Sequence, residues 1–465
     1  MYENTQEITD IILKAAKKAV KETSGEPEPE MTQPIQWPVE CTIGPGLEGG
    51  IACETKIGYV NGSKGWLIYR GYNIFDLCAQ STYEEVAYLL LHGSLPTTRA
   101  FQMFNKKLVD YRYLNKTLRL LMGFPVEKMN AMGALRMGVS MMRQEFTFRD
   151  QEEGLKYGQI IGSDEDSIPM ELKPWGDKHA IYEFNNSDLP HKSKLDENLE
   201  EAFGVEACYH LISGVSTIAA AVMRVRQGRV PIEPDPELSH AGNLLYMMTG
   251  KRPTPIEERI MDVALILHAD HGMNASTFSA MVVASTQSDI YFSVGSGIAA
   301  LNGPLHGGAN EQVMLMLEEI GSPENVKKWL ERTLKKKGKV PGFGHRVYRA
   351  YDPRARVLDP LAKFLAKKNS KARNIFSIAK ELEKQMTERL GSQKKIFPNV
   401  DFYSGIVYSC LGIPSEMFTT VFAVSRVAGW TARVHEYLHN NRIFRPRAMY
   451  TGEFNKELFP IDQRK

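Results

Sequence analysis

Tyr83-Glu84-Glu85-Val86-Ala87-Tyr88-Leu89-Leu90-Leu91-His92 has an apolar face at helical spacing and stops at Gly93, a helix-ending residue. The pattern returns at residues 199–226 and 256–268. Residues 311–320 run helically to Gly321-Ser322-Pro323, and 373–390 run to Gly391. Upstream, Ile8, Ile11, Ile12, Ala15, Ala16, Ala19 and Val20 share one helical face with lysines on the other. A Pro/Glu linker, Ser24 to Pro34, follows this segment, which reads as a docked or mobile arm. Only residues 50–75 change period. There Lys56-Ile57-Gly58-Tyr59-Val60 and Trp66-Leu67-Ile68-Tyr69-Arg70 flank Asn61-Gly62, a hairpin signal. The expected fold is mainly α, with a small N-terminal β-hairpin region. Residues 151–198 are polar, broken by Gly and Pro, and read as a surface insertion or long loop.

The 465 residues allow two or three domains at ~150 residues each. A net charge of +2 gives no general reason to expect nucleic acid or membrane as a partner. Lysine clusters at Lys335-Lys336-Lys337 and Lys367-Lys368 suit either a solvated helix face or a phosphorylated ligand. Five scattered cysteines argue against a disulfide framework and a zinc site, and for a reducing compartment. No apolar stretch is expected to reach the ~18 residues needed to span a membrane. The first 40 residues contain no Arg and carry Glu3, Glu7 and Asp10, unlike a presequence. A cytoplasmic protein is expected, with a processed mitochondrial form as the alternative.

Three turn segments carry the chemistry: Gly303-Pro304-Leu305-His306-Gly307-Gly308, Pro341-Gly342-Phe343-Gly344-His345-Arg346, and Asn399-Val400-Asp401-Phe402-Tyr403-Ser404-Gly405. Two histidines and a carboxylate on turns suit proton abstraction next to a carbonyl. His306 precedes a helical run from about Ala309, whose dipole would keep its ring neutral; the alternative is a structural histidine. His345 is followed by Asp352-Pro353-Arg354-Ala355-Arg356, a set suited to a keto acid or to a surface ion-pair cluster with Asp352 and Asp359. Asp401 reads either as a partly desolvated base or as a helix N-cap.

His268-Ala269-Asp270-His271 has metal-like spacing but no matching third ligand motif, so a structural or substrate-binding role is expected. His435-Glu436-Tyr437-Leu438-His439 matches the zinc-protease pattern, but Asn440-Asn441-Arg442 ends the helix at once. A zinc hydrolase is therefore the remote alternative. Gly44-Pro45-Gly46-Leu47-Glu48-Gly49 matches a dinucleotide fingerprint, yet strand and hairpin follow it where a helix is required.

Together Gly303–Glu311, Pro341–Tyr348 with Asp352-Pro353-Arg354, Asn399–Gly405 and Arg445-Pro446-Arg447 resemble the citrate synthase family. His268–Thr277 and Thr42–Gly49 fit its pattern too, and the likeness runs from about residue 40 to 455 apart from the insertion. The resemblance implies a two-domain helical homodimer: an arm at 1–40, a large domain over 41–306, a small closing domain over 307–410, and a return to the large domain over 411–465. It implies Asp401 as the base acting on acetyl-CoA, His306 as the thioester hydrogen-bond donor and His345 as the ketone polariser. It also implies His271, Arg354, Arg426 and Arg445 as contacts of oxaloacetate, with Arg445 crossing the dimer interface. Val340, Gly342, Phe343, Gly344 and Arg349 match CoA contacts. No metal or redox cofactor is implied. Propionyl-CoA, giving 2-methylcitrate, is the near alternative, and a non-catalytic CoA-binding paralogue a further one. The insertion and the first 40 residues depart from the family pattern.

Overall fold

The computed structural model describes residues 5–27, 36–143, 197–367, 369–391, 394–458 and 460–463. The polar insertion thus lies outside the described residues, except that its last two begin the helix Glu197–Arg226.

The fold is mainly helical, organised around the helix Phe418–Leu438, in which every residue from Phe418 to Val434 is buried. A helix apolar on all sides belongs in the middle of a core. It packs against Glu197–Arg226, Ala275–Ser285, Ile290–Leu301, Tyr83–His92 and Pro255–His268. Gly297 faces Trp430 on the central helix, where a Cβ would come within 3.0 Å of the indole. One described helical stretch, Gly204–Arg226, is long and apolar enough to cross a membrane, and 89% of its most apolar window is buried inside the protein. This corrects the expectation that no apolar stretch is that long: Ser213 and Thr217 lie within it, but Leu211, Ile212, Val215, Ile218 and Val222 keep its hydropathy high.

A second group of helices forms around Val400–Cys410, which packs on Ala309–Ile320, Pro353–Ala366 and Ser370–Met386. The N-terminal helix Gln6–Glu22 docks, burying Ile8, Ile12 and Ala15. It lies against Ile74–Gln80 and Pro353–Ala366, and Arg356 pairs with Glu22.

The hairpin is present as an antiparallel sheet of Gly58–Asn61, Trp66–Tyr69 and Tyr72–Asn73. Asn61-Gly62 does not form a two-residue turn. Asn61 pairs with Trp66 as the last strand residue, and residues 62–65 form the loop. Asn61 Oδ1 accepts from Lys64 N at 2.9 Å and Ser63 Oγ at 3.0 Å. Gly62 is required by close approach: a Cβ there would lie 2.1 Å from Val347 O. Its carbonyl accepts from Arg349 N and Ala350 N at 2.9 and 3.1 Å, so the hairpin tip carries the segment after His345.

Candidate active site

Two of the three turns are stitched together. Asn399 N donates to Gly342 O at 2.8 Å, Gly344 N donates to Phe397 O at 2.9 Å, and Asn399 Nδ2 donates to Gly344 O at 3.0 Å. The Asn399 side-chain oxygen accepts from Asp401 N at 3.0 Å and so caps the helix Val400–Cys410. Asn399 is therefore the cap, and the Asp401 carboxylate is left for other work. Gly342 and Gly344 sit at φ 79° and 84°, a region that favours glycine. Phe343 and Phe402 close the seam, with ring centroids 4.6 Å apart.

The backbone fixes the tautomers of both histidines. His345 Nδ1 accepts from Val347 N at 3.0 Å and Tyr348 N at 3.1 Å, which leaves the ring proton on Nε2. Burial, against the pull of Asp352, lowers its pKa to about 4. His306 Nε2 accepts from Ser276 N at 3.2 Å, leaving its proton on Nδ1. Ser276 Oγ lies 2.8 Å from the same nitrogen and accepts from Trp430 Nε1 at 3.2 Å. Burial, and secondarily Arg426, lowers the His306 pKa to about 4. The helix N-terminus serving His306 is thus that of Ala275–Ser285, capped by Asn274. The following helix, Ala309–Ile320, does not supply this bond.

Around His345 stands a cationic cluster. Arg354 forms a two-pronged pair with Asp352, Nε to Oδ1 at 3.0 Å and Nη2 to Oδ2 at 2.8 Å, and both residues are buried. Asp352 also caps the helix Pro353–Ala366. The alternative of a surface cluster does not hold, since the Arg354–Asp352 pair is buried and Asp359 pairs with Lys380 at 3.0 Å. His271 lies past the end of the helix Pro255–His268, so it and His268 do not share a helix face. Its ring is 5.1 Å from that of His345, and its Nε2 is 3.2 Å from Tyr348 Oη. Burial, followed by Arg354 and His345, holds its pKa well below the usual imidazole range. Asp270 binds Arg433 through both oxygens at 2.7 Å and accepts from Gly272 N at 3.1 Å, setting the turn that carries His271.

Arg426 is buried, its Nε donates to His268 O, and among the described residues its Nη2 has no hydrogen-bond partner. A buried guanidinium N–H without an acceptor is costly unless a ligand supplies one. Arg426 acts on His306 and Asp401, on two of the three turns, and on His271. Among the described residues no group hydrogen-bonds the Asp401 carboxylate. Burial raises its pKa to about 7, against the opposing charges of Arg354 and Arg426.

Three expected residues stand apart. Arg445 is exposed, its Nη1 donating to Pro446 O at 3.2 Å. It follows Phe444, whose N–H donates to Ser285 Oγ, at the opposite end of the helix from Ser276. Arg349 is exposed and bound through its backbone to the hairpin tip. Val340 is buried at the start of the His345 turn. The zinc-protease pattern has other work: Glu436 accepts from Thr55 Oγ1 at 2.5 Å and Lys56 N at 2.9 Å, and pairs with Arg70 at 3.3 Å. Ser276, Tyr348, Asn399 and Asp270 escaped the sequence reading as partners. The run Asn274-Ala275-Ser276-Thr277 was a usable signal, because an Asn ahead of a helix predicts free N–H groups just after it.

Two neutral imidazoles, a carboxyl with its pKa near 7 and a buried guanidinium suit proton abstraction next to a carbonyl. The family model "Citrate synthase, C-terminal domain" matches residues 46–447. Citrate synthase of Acidithiobacillus ferridurans is 39% identical over 91% of this chain and 99% of its own length. That of Deinococcus radiodurans is likewise 39% identical over 91% of this chain and 99% of its own. A crystal structure of citrate synthase from Pyrobaculum aerophilum is similar at 38% identity and TM-score 0.75, covering 94% of this chain and all of that one. Citrate synthase from Thermoplasma acidophilum, in ternary complex with carboxymethyl coenzyme A and oxaloacetate, is similar at 30% identity and TM-score 0.77, over 91% of this chain and all of that one. The chain belongs to the citrate synthase family, and it is an enzyme of the transferase class.

Proposed function

We propose that the chain condenses acetyl-CoA with oxaloacetate and hydrolyses the product thioester to citrate and CoA. The observation that carries this reading is the pair of neutral histidines held in opposite tautomers by backbone N–H groups, beside a carboxylate with pKa near 7. Asp401 removes a methyl proton, and the C–H electron pair becomes the enol double bond. His306 Nδ1–H stabilises the thioester oxygen as charge develops there. The enol carbon then attacks the ketone carbon, whose oxygen is polarised by His345 Nε2–H. Water finally adds to the thioester carbonyl and CoA leaves as the thiol. Each preorganised donor contributes ~3 kcal/mol to the barrier reduction.

Arg354, Arg426 and His271 hold the keto acid, and Arg445 of a second copy completes the set. The carboxymethyl coenzyme A and oxaloacetate named for the Thermoplasma acidophilum complex support a coenzyme A derivative and a keto acid as the two ligands. The Val340–Gly344 backbone receives the adenine, with Phe343 beside it, and Arg349 a phosphate. No metal or redox cofactor takes part. The helices of residues 307–410 close over the site and exclude water. An exposed apolar tail, including Met449 (90%), Leu458 (84%) and Ile461 (81%), supports a homodimer in which each tail lies against its partner. The five free cysteines suit a reducing cytoplasm.

The test is CoA release followed with a thiol reagent, using acetyl-CoA and propionyl-CoA in parallel. Release that needs oxaloacetate and favours acetyl-CoA in kcat/KM is expected. Preference for propionyl-CoA would overturn the acetyl assignment, and release independent of oxaloacetate would overturn the condensation.

A further inference from the structure

A buried polar cluster joins the helix that carries Asp401 to the segment that precedes Asp352. At its centre is Glu383 of the helix Ser370–Met386, only 9% exposed. Tyr403 Oη donates to Glu383 Oε2 at 2.6 Å, and Tyr351 Oη donates to Glu383 Oε1 at 2.5 Å. Lys380 Nζ donates to Glu383, to Asp359 Oδ2 at 3.0 Å and to Tyr403 Oη at 3.3 Å. The Arg356 guanidinium lies 4.4 Å over the Tyr351 ring and pairs with Glu22 of the docked N-terminal helix.

The positions of the two tyrosines matter. Tyr403 is two residues past Asp401 on the same helix, and residues two apart face different ways. Asp401 turns to the site while Tyr403 anchors the back of the same turn. Tyr351 directly precedes Asp352, which caps its helix and orients Arg354. Burial alone would raise the Glu383 pKa, but Lys380 and both tyrosine hydroxyls hold it below the usual glutamate value. A buried ionic cluster of this kind is weak evidence for stability, since apolar packing can do as well, so its geometric role needs another account.

We infer that Glu383 is a positioning residue: through Tyr403 it fixes the base Asp401, and through Tyr351 it fixes the Asp352–Arg354 pair. The inference rests on the roles proposed above for Asp401 and Arg354. The two halves of the cluster make separable predictions. Tyr403→Phe should lower kcat ~10-fold with oxaloacetate affinity unchanged, because misplacing a reacting group by a fraction of an ångström costs that order. Tyr351→Phe should weaken oxaloacetate binding several-fold with a smaller effect on kcat. Glu383→Gln should do both.

The experiment measures kcat by CoA release, oxaloacetate affinity by calorimetry and the thermal midpoint, on the full chain at 25 °C. If Glu383→Gln does not fold, the two Phe variants decide the matter. Lowered thermal midpoints with unchanged kcat and affinity in the Phe variants would make the cluster purely structural and overturn the inference. A wild-type protein that releases no CoA from the substrate pair would overturn the proposed function itself, a result distinct from an active wild type with unaffected variants.

Discussion

Asp401→Asn should abolish turnover and stabilise the protein, and the second effect should depend on pH. Burial raises the Asp401 pKa from an ordinary 3.8 to about 7. A carboxyl whose folded pKa lies above its unfolded value contributes stability at low pH and loses it as pH rises through the folded value. At pH 8 the folded protein thus holds an ionised group that it accommodates poorly. The difference between 3.8 and about 7 corresponds to at most ~4 kcal/mol. Asp401 keeps some contact with solvent, so half of that, ~2 kcal/mol, is the sensible expectation. Asparagine is nearly isosteric and uncharged, so it recovers this penalty. For a chain of this size ~2 kcal/mol is a rise of ~2–3 °C in Tm. Thermal scans at fixed concentration should show that gain at pH 8 and little at pH 4. CoA release should fall by ~10³-fold or more at every pH, because the general base is gone. Equal gains at both pH values would refute the raised pKa, and wild-type turnover would refute the assignment of the base.

Gly342→Ala places a methyl 2.8 Å from both Phe402 Cδ2 and Val313 Cγ2 at φ 79°, and should cost ~2–4 kcal/mol and ~10²-fold in kcat. Wild-type kcat in that variant, by CoA release, would show that the stitched turns do not set the geometry. Arg426→Gln should raise the oxaloacetate Kd by ~10²-fold in calorimetry while sparing acetyl-CoA, since it removes a buried charged donor; an unchanged Kd would remove Arg426 from the keto-acid site. With His306 and His345 at about 4, the acid limb of kcat should belong to Asp401 and lie at or above 7 with oxaloacetate bound. A limb near 4 would refute that assignment. Glu436→Gln should lower stability by ~1–3 kcal/mol through its lost bonds to Lys56 and Arg70, leaving kcat intact; zinc-dependent hydrolysis lost with Glu436 would reverse its reading as an anchor.

Helices declared themselves in the sequence where they are amphipathic. Gln6–Glu22 buries one face through Ile8, Ile12 and Ala15, and Tyr83–His92 stops at Gly93, whereas Pro255–His268 is buried on all sides from Arg259 onward. The hairpin was legible, its turn only partly: Asn61-Gly62 signals a tight turn by composition, but Gly62 is needed for the backbone of Val347 pressing on it from far along the chain. The same limit applies at the site. Flanking glycines marked His306 and His345 as close-approach positions, yet the helix that sets the His306 tautomer comes from Ser276, thirty residues away in sequence. Local spacing cannot show such a partner. The distinction between Asp401 as cap and Asp401 as base was also beyond local reading, because both fit a carboxylate at a helix start. It resolves once Asn399 is seen to hold the cap.

The charges of the site favour an order of events. Three buried guanidiniums, Arg354, Arg426 and Arg433, meet two committed carboxylates, Asp352 and Asp270. These pairs leave Arg426 without a committed carboxylate, and among the described residues its Nη2 has no hydrogen-bond partner. A dianionic keto acid supplies that counter-charge, whereas a thioester group does not, so on the proposed roles these arginines are placed for oxaloacetate. Its carboxylates would then pair with the same two arginines, Arg354 and Arg426, that hold the Asp401 pKa down. Released from them, Asp401 becomes a stronger base only after the electrophile has arrived. The neutral histidines add no charge of their own to oppose this, because backbone N–H groups occupy the nitrogens that would otherwise be protonated. On this account the thioester is not enolised until its partner is in place, and the acid limb of kcat above 7 is the measurable consequence.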